Sequence, residues 1–472
     1  MTPGHVPVST ARRRAITAGL LLGMSLGALE ATVVGTAMPT VVATLGGLAH
    51  YSWVFSAYLL TSTASVPIWG RLSDLYGRRR MYLTGVGIFL AGSAASGAAT
   101  SMEALIVARG LQGLGAGAVV PLSMTIIGEL YSLEERARTQ ALFSGVWGVA
   151  SVAGPLVGGY ITDALSWRWV FLVNIPFGLL ALAVIALAYP PSGTREPVRV
   201  DWAGALLMFT GISALLLALG GEAGSEGAWL LAALMLLGAF VVVERRAAEP
   251  ILPIALFANS VVARTMTVVF LLGTAMFGAI AFIPLFVQAV LGGSATEAGQ
   301  VLTPLFIGWV ITSIVGARFT VLIGYRRVAH GGVVLLTAGF IGLAALGADS
   351  TRLPLLASCF VIGAGMGFSM LSLLLAVQHG VDRAQLGLAT SLNQFSRSIG
   401  AAFGIAAMGA LMTRRLASLG LTADAGALAS GSLAPAARAQ FAAGLHEVFL
   451  AGAIAAGVAL VAAMFLPRLE FK

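Results

Sequence analysis

The sequence predicts an all-α integral membrane protein, made of two six-helix bundles with two extra transmembrane helices between them. Three observations predict it: a composition starved of charge, a train of apolar runs of membrane-spanning length, and an internal repeat. Of 472 residues, 58% are hydrophobic and only 10% charged, and the mean hydropathy is +0.94. A soluble domain carries about 25% charged residues, and one core cannot hide this much apolar surface. Lipid must be the solvent. The 59 glycines fit that reading, because small residues let membrane helices approach closely.

Crossing roughly 30 Å of hydrocarbon takes about 20 apolar residues. Fourteen runs qualify: 16–38, 52–72, 80–99, 104–128, 138–162, 168–189, 203–220, 228–243, 262–290, 298–322, 329–347, 354–377, 386–412 and 442–466. The first follows Arg12-Arg13-Arg14 in the manner of a leader, but it continues through Glu30 to Pro39 without a small-residue cleavage pattern and is read as a span. An even number of spans puts both termini on one side of the membrane. With the N-terminus inside, twenty of the basic residues fall on the inner side and five on the outer, which predicts cytoplasmic termini. The formal charge of +8 then reflects topology and lipid headgroups rather than nucleic acid. Abundant Ala and Arg with a single Lys point to a GC-rich bacterial source, hence a bacterial inner membrane. The protein is expected to be a monomer.

The repeat gives the architecture. Gly70, Gly77, Arg78 and Arg79 at the end of the second run are echoed by Gly316, Gly324, Arg326 and Arg327 at the end of the tenth. Gly113-x-Gly115-x-Gly117 is echoed by Gly363-x-Gly365-x-Gly367, and Phe143-Ser144-x-x-x-Gly148 by Phe395-Ser396-x-x-x-Gly400. The near-constant offset predicts a duplicated six-helix unit, residues 1–190 and 251–472, separated by two inserted helices in 191–250. Parallel halves about a central cavity are a recurrent plan of secondary transporters.

Composition also excludes. Cys359 is the only cysteine, so there is no disulfide framework or thiolate cluster. Lys472, the only lysine, cannot complete a phosphate-binding loop. The five histidines are scattered without metal-ligand spacing, so neither a metal nor another cofactor is expected. The chain is not expected to be an enzyme, and its energy source would be a proton gradient.

Glu30 is the carboxylate placed near mid-span. Ionised, it costs ~2.5–3.5 kcal/mol at that depth, so it faces a cavity, takes up a proton or is tied to a neighbouring helix. Thr32 and Thr36 are candidate hydrogen-bond partners. Arg109, a few residues into the fourth run, stays charged wherever it sits. It either senses the protonation of Glu30 or snorkels to the headgroups. Gln112, one turn on, is a candidate cavity-lining group. In the loop Gly70-Arg71-Leu72-Ser73-Asp74-Leu75-Tyr76-Gly77-Arg78-Arg79-Arg80, two glycines permit a tight turn. There Asp74 can pair with Arg78 or with a helix N-terminus of the opposite half, and Glu129 can join them as an inner gate. Trp147, Phe282, Gln288, Phe306, Trp309, Asn393 and Gln394 are candidate substrate contacts. Arg397, aligned by the repeat with Gly145, is a second intramembrane cation that pairs with a carboxylate or holds an anionic substrate.

The loop pattern resembles the inner-loop signature of the major facilitator superfamily. Gly148-Val149-Ala150-Ser151-Val152-Ala153-Gly154-Pro155-Leu156-Val157-Gly158-Gly159 resembles its antiporter signature, and Arg109-x-x-Gln112-Gly113 its fourth-helix motif. The run from Leu29 through Glu30 to Pro39 resembles the first-helix motif of the fourteen-span drug:proton antiporters. Trp167-Arg168-Trp169-Val170-Phe171-x-x-Asn174-Ile175-Pro176-Phe177 and Asn393-Gln394-Phe395-Ser396-Arg397-x-Ile399-Gly400 are similar to that subfamily as well. Two positions depart from it: the acid is Glu30 where Asp is common, and Leu75 follows Asp74 where a basic residue is frequent. The resemblance implies proton coupling at Glu30 with Arg109, inner-gate pairing at Asp74 and Arg78, and helix packing at Gly154, Pro155, Gly158 and Gly159. It implies a multidrug exporter that exchanges hydrophobic or cationic compounds for protons. Export of a lipid or metabolite by the same machinery is the alternative.

Overall fold

The computed structural model describes residues 9–131, 133–190, 201–220, 225–247, 250, 252, 254–382, 385–419 and 433–467. Most of the predicted outer segment 418–440 lies outside them. The described residues fold into fifteen α-helices. The N-terminal bundle holds α1 (Thr10–Leu45), α2 (Tyr51–Tyr76), α3 (Arg78–Ala98), α4 (Met102–Leu130), α5 (Leu133–Ala164), the single turn α6 (Trp169–Leu172) and α7 (Asn174–Ala188). Two helices follow, α8 (Trp202–Gly220) and α9 (Glu226–Glu244). The C-terminal bundle holds α10 (Ser260–Leu285) with a π turn over Phe286–Val290, α11 (Ala295–Ile323), α12 (Tyr325–Ala344), α13 (Arg352–His379), α14 (Leu386–Ser418) and α15 (Pro435–Met464).

Each apolar run lies on a helix, the sixth on α6 and α7 together. Among the described residues, twelve helical segments are long and apolar enough to cross a membrane. Missing from the twelve are α2, rich in Ser, Thr and Tyr, and α5, some of whose side chains lie outside the description. The surface is turned inside out: Val107 is 73% exposed, Leu187 82% and Leu322 75%, which in water would oppose folding and in lipid does not.

Two of the sequence echoes have matching backbone geometry. Gly77 turns α2 into α3 at φ +87°, and Gly324 turns α11 into α12 at φ +86°, a region that favours glycine. On α4 a Cβ at Gly115 would sit 2.5 Å from the carbonyl oxygen of Gly85. On α13 a Cβ at Gly365 would meet that of Gly332 at the same 2.5 Å. At the third echo, a Cβ at Gly154 would meet the Thr32 side chain of α1, and one at Gly400 the Phe270 carbonyl of α10.

The bundles meet where α5 packs on α11, α2 on α14 and α1 on α10. The hydrogen bonds joining them gather at one end of the molecule. Gln288 Nε2 donates to Thr36 O (3.0 Å), Thr40 Oγ1 to Gln288 Oε1 (3.4 Å) and Tyr51 Oη to Ala281 O (2.5 Å). At the same end Asp163, near the C-terminus of α5, accepts from Ala295 N (3.2 Å), Thr296 N (2.8 Å) and Thr296 Oγ1 (2.5 Å) at the start of α11. Helix α8 packs Met208, Ile212 and Leu216 against Leu60 and Ala64 of α2 and Ala402 and Ala406 of α14, with α9 outside it. The two inserted helices thus rest against both bundles.

Candidate functional site

Charges cluster on the N-terminal bundle at two depths. The deeper cluster is centred on Glu30 and Arg109, each 2% exposed, whose side chains form an ion pair between Oε1 and Nη1. The second carboxylate oxygen accepts from Asn174 Nδ2 of α7 at 2.8 Å. Arg109 Nη1 also donates to Gln112 Oε1 (2.6 Å) and Nε to Val54 O of α2 (3.2 Å), while the guanidinium lies 4.2 Å from the Tyr58 ring centroid. Ser93 of α3 closes the network. Gln112 Nε2 donates to its Oγ at 3.2 Å, Asn174 Nδ2 lies 3.0 Å from it, and it donates to Phe171 O at 2.8 Å. Six helices of one bundle are held by these bonds. Two buried charges are tolerated because each is met by the other and by neutral dipoles.

Several expectations change. Arg109 does not snorkel, since it is enclosed. Gln112 is fully buried within the network and lines no cavity. Thr32 and Thr36 make no bond to Glu30. Thr32 lies 200° round the helix from it and reaches Ala150 O of α5, while Thr36 bonds Val33 O. Asn174, Ser93 and Tyr58 belong to the site, and sequence reasoning gave them no role there. The available signal was an amide and a hydroxyl inside otherwise apolar or glycine-rich runs.

Within three turns beyond Glu30, α1 packs Thr32 and Thr36 against Gly154 and Gly158 of α5 and meets the other bundle at Gly35, Thr36 and Thr40. A Cβ at Gly158 would lie 2.7 Å from Val33 O, so glycine is what allows this contact. Pro155 and Gly159 of α5 meet Gly299 and Ala295 of α11, the antiporter-like stretch thus touching both bundles.

The shallower cluster joins Arg78, Glu129 and Asp74. Arg78 Nη1 is 2.6 Å from Glu129 Oε1 and Nη2 is 3.7 Å from Asp74 Oδ1, and Tyr189 Oη donates to Glu129 Oε2 at 2.5 Å. These bonds all lie within one bundle, with Gly70 and Gly77 beside them; among the described residues Asp74 shows no bond to a helix of the opposite half. The candidate substrate contacts scatter. Phe282 is fully buried against Tyr51 (centroids 5.3 Å apart), and Gln288 is a clasp between bundles, so both serve the closed end. Phe306 and Trp309 stack at 6.4 Å, and Trp147 is half-buried against the N-terminal core. Asn393, Gln394 and Arg397 share a stretch of α14.

Among the described residues no group of His, Cys, Asp and Glu could hold a metal. The sequence profile of the Major Facilitator Superfamily matches residues 20–405. The chain is 42% identical over 415 residues to the multidrug transporter protein MdtP of Bacillus subtilis (86% of this chain, 77% of that one). It is 38% identical over 408 residues to multidrug resistance protein 3 of the same organism (84% and 79%). A crystal structure of a bacterial homolog of the human lysosomal transporter Spinster, inward-facing and unoccupied, superposes with a TM-score of 0.71 at 17% identity, covering 97% of this chain and 98% of that one. With that fold and these relatives, the chain belongs to the Major Facilitator Superfamily of membrane transporters.

Proposed function

We propose that this chain is a fourteen-span, proton-coupled multidrug exporter of a bacterial inner membrane, working by alternating access with both termini in the cytoplasm. The observation that carries the proposal is the buried Glu30–Arg109 pair: a titratable acid, held by a cation that a proton displaces, on the helix that also meets the opposite bundle. The multidrug names of its bacterial relatives support the exporter half of the reading. With α2 and α5 also crossing, the joined end faces outward and the structure corresponds to an inward-facing state.

In this scheme a proton entering from outside takes the carboxylate, frees Arg109 and shifts α1 against α5 and α10. The bundles then exchange which end is closed. Substrate and proton need only disfavour each other's binding, and linkage makes that effect mutual. The substrates are hydrophobic compounds. A cationic preference set by Glu30 loses its basis, because Arg109 already neutralises that charge.

The test is efflux of a hydrophobic dye from proteoliposomes under an imposed pH step. Glu30→Gln, which keeps shape and one acceptor, is expected to insert normally and lose pH-driven efflux. Retained uphill efflux at wild-type protein levels overturns the coupling role, and a wild type that moves no dye overturns the exporter reading.

A further inference from the structure

The proton site leaves a second cation at membrane depth unused. Arg397 lies eleven residues into α14, about 16 Å along a helix rising roughly 1.5 Å per residue. It has no carboxylate partner among the described residues. Its hydrogen bond goes to a neutral amide, Gln394 Oε1 at 2.8 Å, and its guanidinium stands 6.0 Å from the Phe277 ring of α10. A guanidinium offers five donors and cannot shed its charge. Without an acid it requires water or a ligand at that depth. Arg397 is only partly buried and Gln394 is exposed, so the two side chains reach the surface of the protein at this depth.

The helix that carries it meets the other bundle. Further along α14, Ala402 and Ala406 share a cluster with Leu60 and Ala64 of the other bundle, and Gly409 abuts Ser52. One turn beyond Phe277, the carbonyl of Ile280 backs onto Gly35 of α1. Arg397 therefore sits just below the joined end. One turn in the other direction, Asn393 is 7% exposed and its Nδ2 is buried without a hydrogen-bond partner. A buried donor left unmet is costly, and this one shares a helix face with Arg397. A guanidinium bonded only to a neutral amide, an unmet amide donor on the same helix face and an aromatic ring match an amphiphile with an acidic head.

We propose that Arg397, with Asn393, binds the carboxylate or other anionic group of a hydrophobic substrate, so that acid-bearing amphiphiles are a substrate class of this exporter. The proposal rests on the exporter reading above. The other reading of Arg397, a purely structural arginine, expects a buried acid or several carbonyls around the guanidinium, and among the described residues it has neither.

The experiment measures binding to the purified full-length protein by fluorescence polarisation, using one rhodamine as its free carboxylic acid and as its methyl ester. The two dyes differ in the acidic group alone. The wild type is expected to bind the acid more tightly, and Arg397→Gln to weaken the acid by roughly tenfold while leaving the ester unchanged, the scale of one lost charge-assisted bond. Arg397→Lys keeps the positive charge and is expected to retain the preference, which guards against a folding defect in the glutamine variant. A wild type that does not favour the acid, an acid preference that survives Arg397→Gln, or equal loss of both dyes overturns the proposal. Failure of the wild type to bind either dye contradicts the multidrug reading instead.

Discussion

Asp163→Ala removes a clasp between the bundles whose strength follows from its geometry. The carboxylate takes three hydrogen bonds, at 3.2, 2.8 and 2.5 Å, from the first residues of α11. Hydrogen bonds to a charged group contribute about 1.5–3 kcal/mol each where they are sheltered, but Asp163 is exposed and competes with water. A net of about 1–2 kcal/mol for the set is the consistent figure once exposure is counted, which moves a two-state equilibrium roughly 5- to 30-fold. The start of α11 keeps its own cap, because Ser294 and Glu297 form a capping box that does not involve the other bundle. Removing Asp163 therefore penalises the joined arrangement and leaves the helix intact. Spin labels at exposed Ala49 and Asp349, in loops of opposite bundles at the joined end, report the separation by pulsed dipolar spectroscopy in a Cys359→Ser background. Asp163→Ala is expected to enlarge the long-distance population, with Asp163→Asn between it and the wild type. An unchanged distance distribution in the alanine variant refutes the clasp.

Gly158→Ala drives a Cβ toward the carbonyl of Val33, 2.7 Å away, and is expected to lower the melting temperature through an overpacking cost of about 1–3 kcal/mol. Unchanged stability and transport would show that α1 and α5 separate freely. Arg78→Ala removes the guanidinium 2.6 Å from Glu129 and is expected to destabilise the bundle by about 3 kcal/mol, whereas replacing both residues with methionine costs less; a thermal double-mutant cycle reads the difference. For topology, a cysteine in place of exposed Ala49 is expected to react with an impermeant maleimide on intact cells, and one in place of exposed Tyr76 only after lysis. The reverse pattern inverts the assignment of inside and outside.

The helices were legible because lipid imposes one rule along the whole chain, that apolar stretches of spanning length fold as helices. Gly77 and Gly324 were legible as turns for a related reason, since a tight reversal after a span favours glycine. At the site, Glu30 and Arg109 stood out as charges where charge is expensive. Asn174 and Ser93, separated from Glu30 by 144 and 63 positions, are neutral and give no such signal. Asp163 was missed because an acid near a helix end is ordinary until the opposing helix N-terminus is seen. Thr32 and Thr36 misled by proximity in sequence, as residues two apart on a helix point to different sides.

Proton competition at Glu30 is tested most directly by adding substrate to purified protein in weakly buffered detergent solution and following the released protons with an indicator dye. Wild type is expected to acidify the medium on binding, and Glu30→Gln to bind the same substrate with no release. Proton release from Glu30→Gln equal to that of the wild type would contradict the account, leaving Glu30 and Arg109 as a structural ion pair.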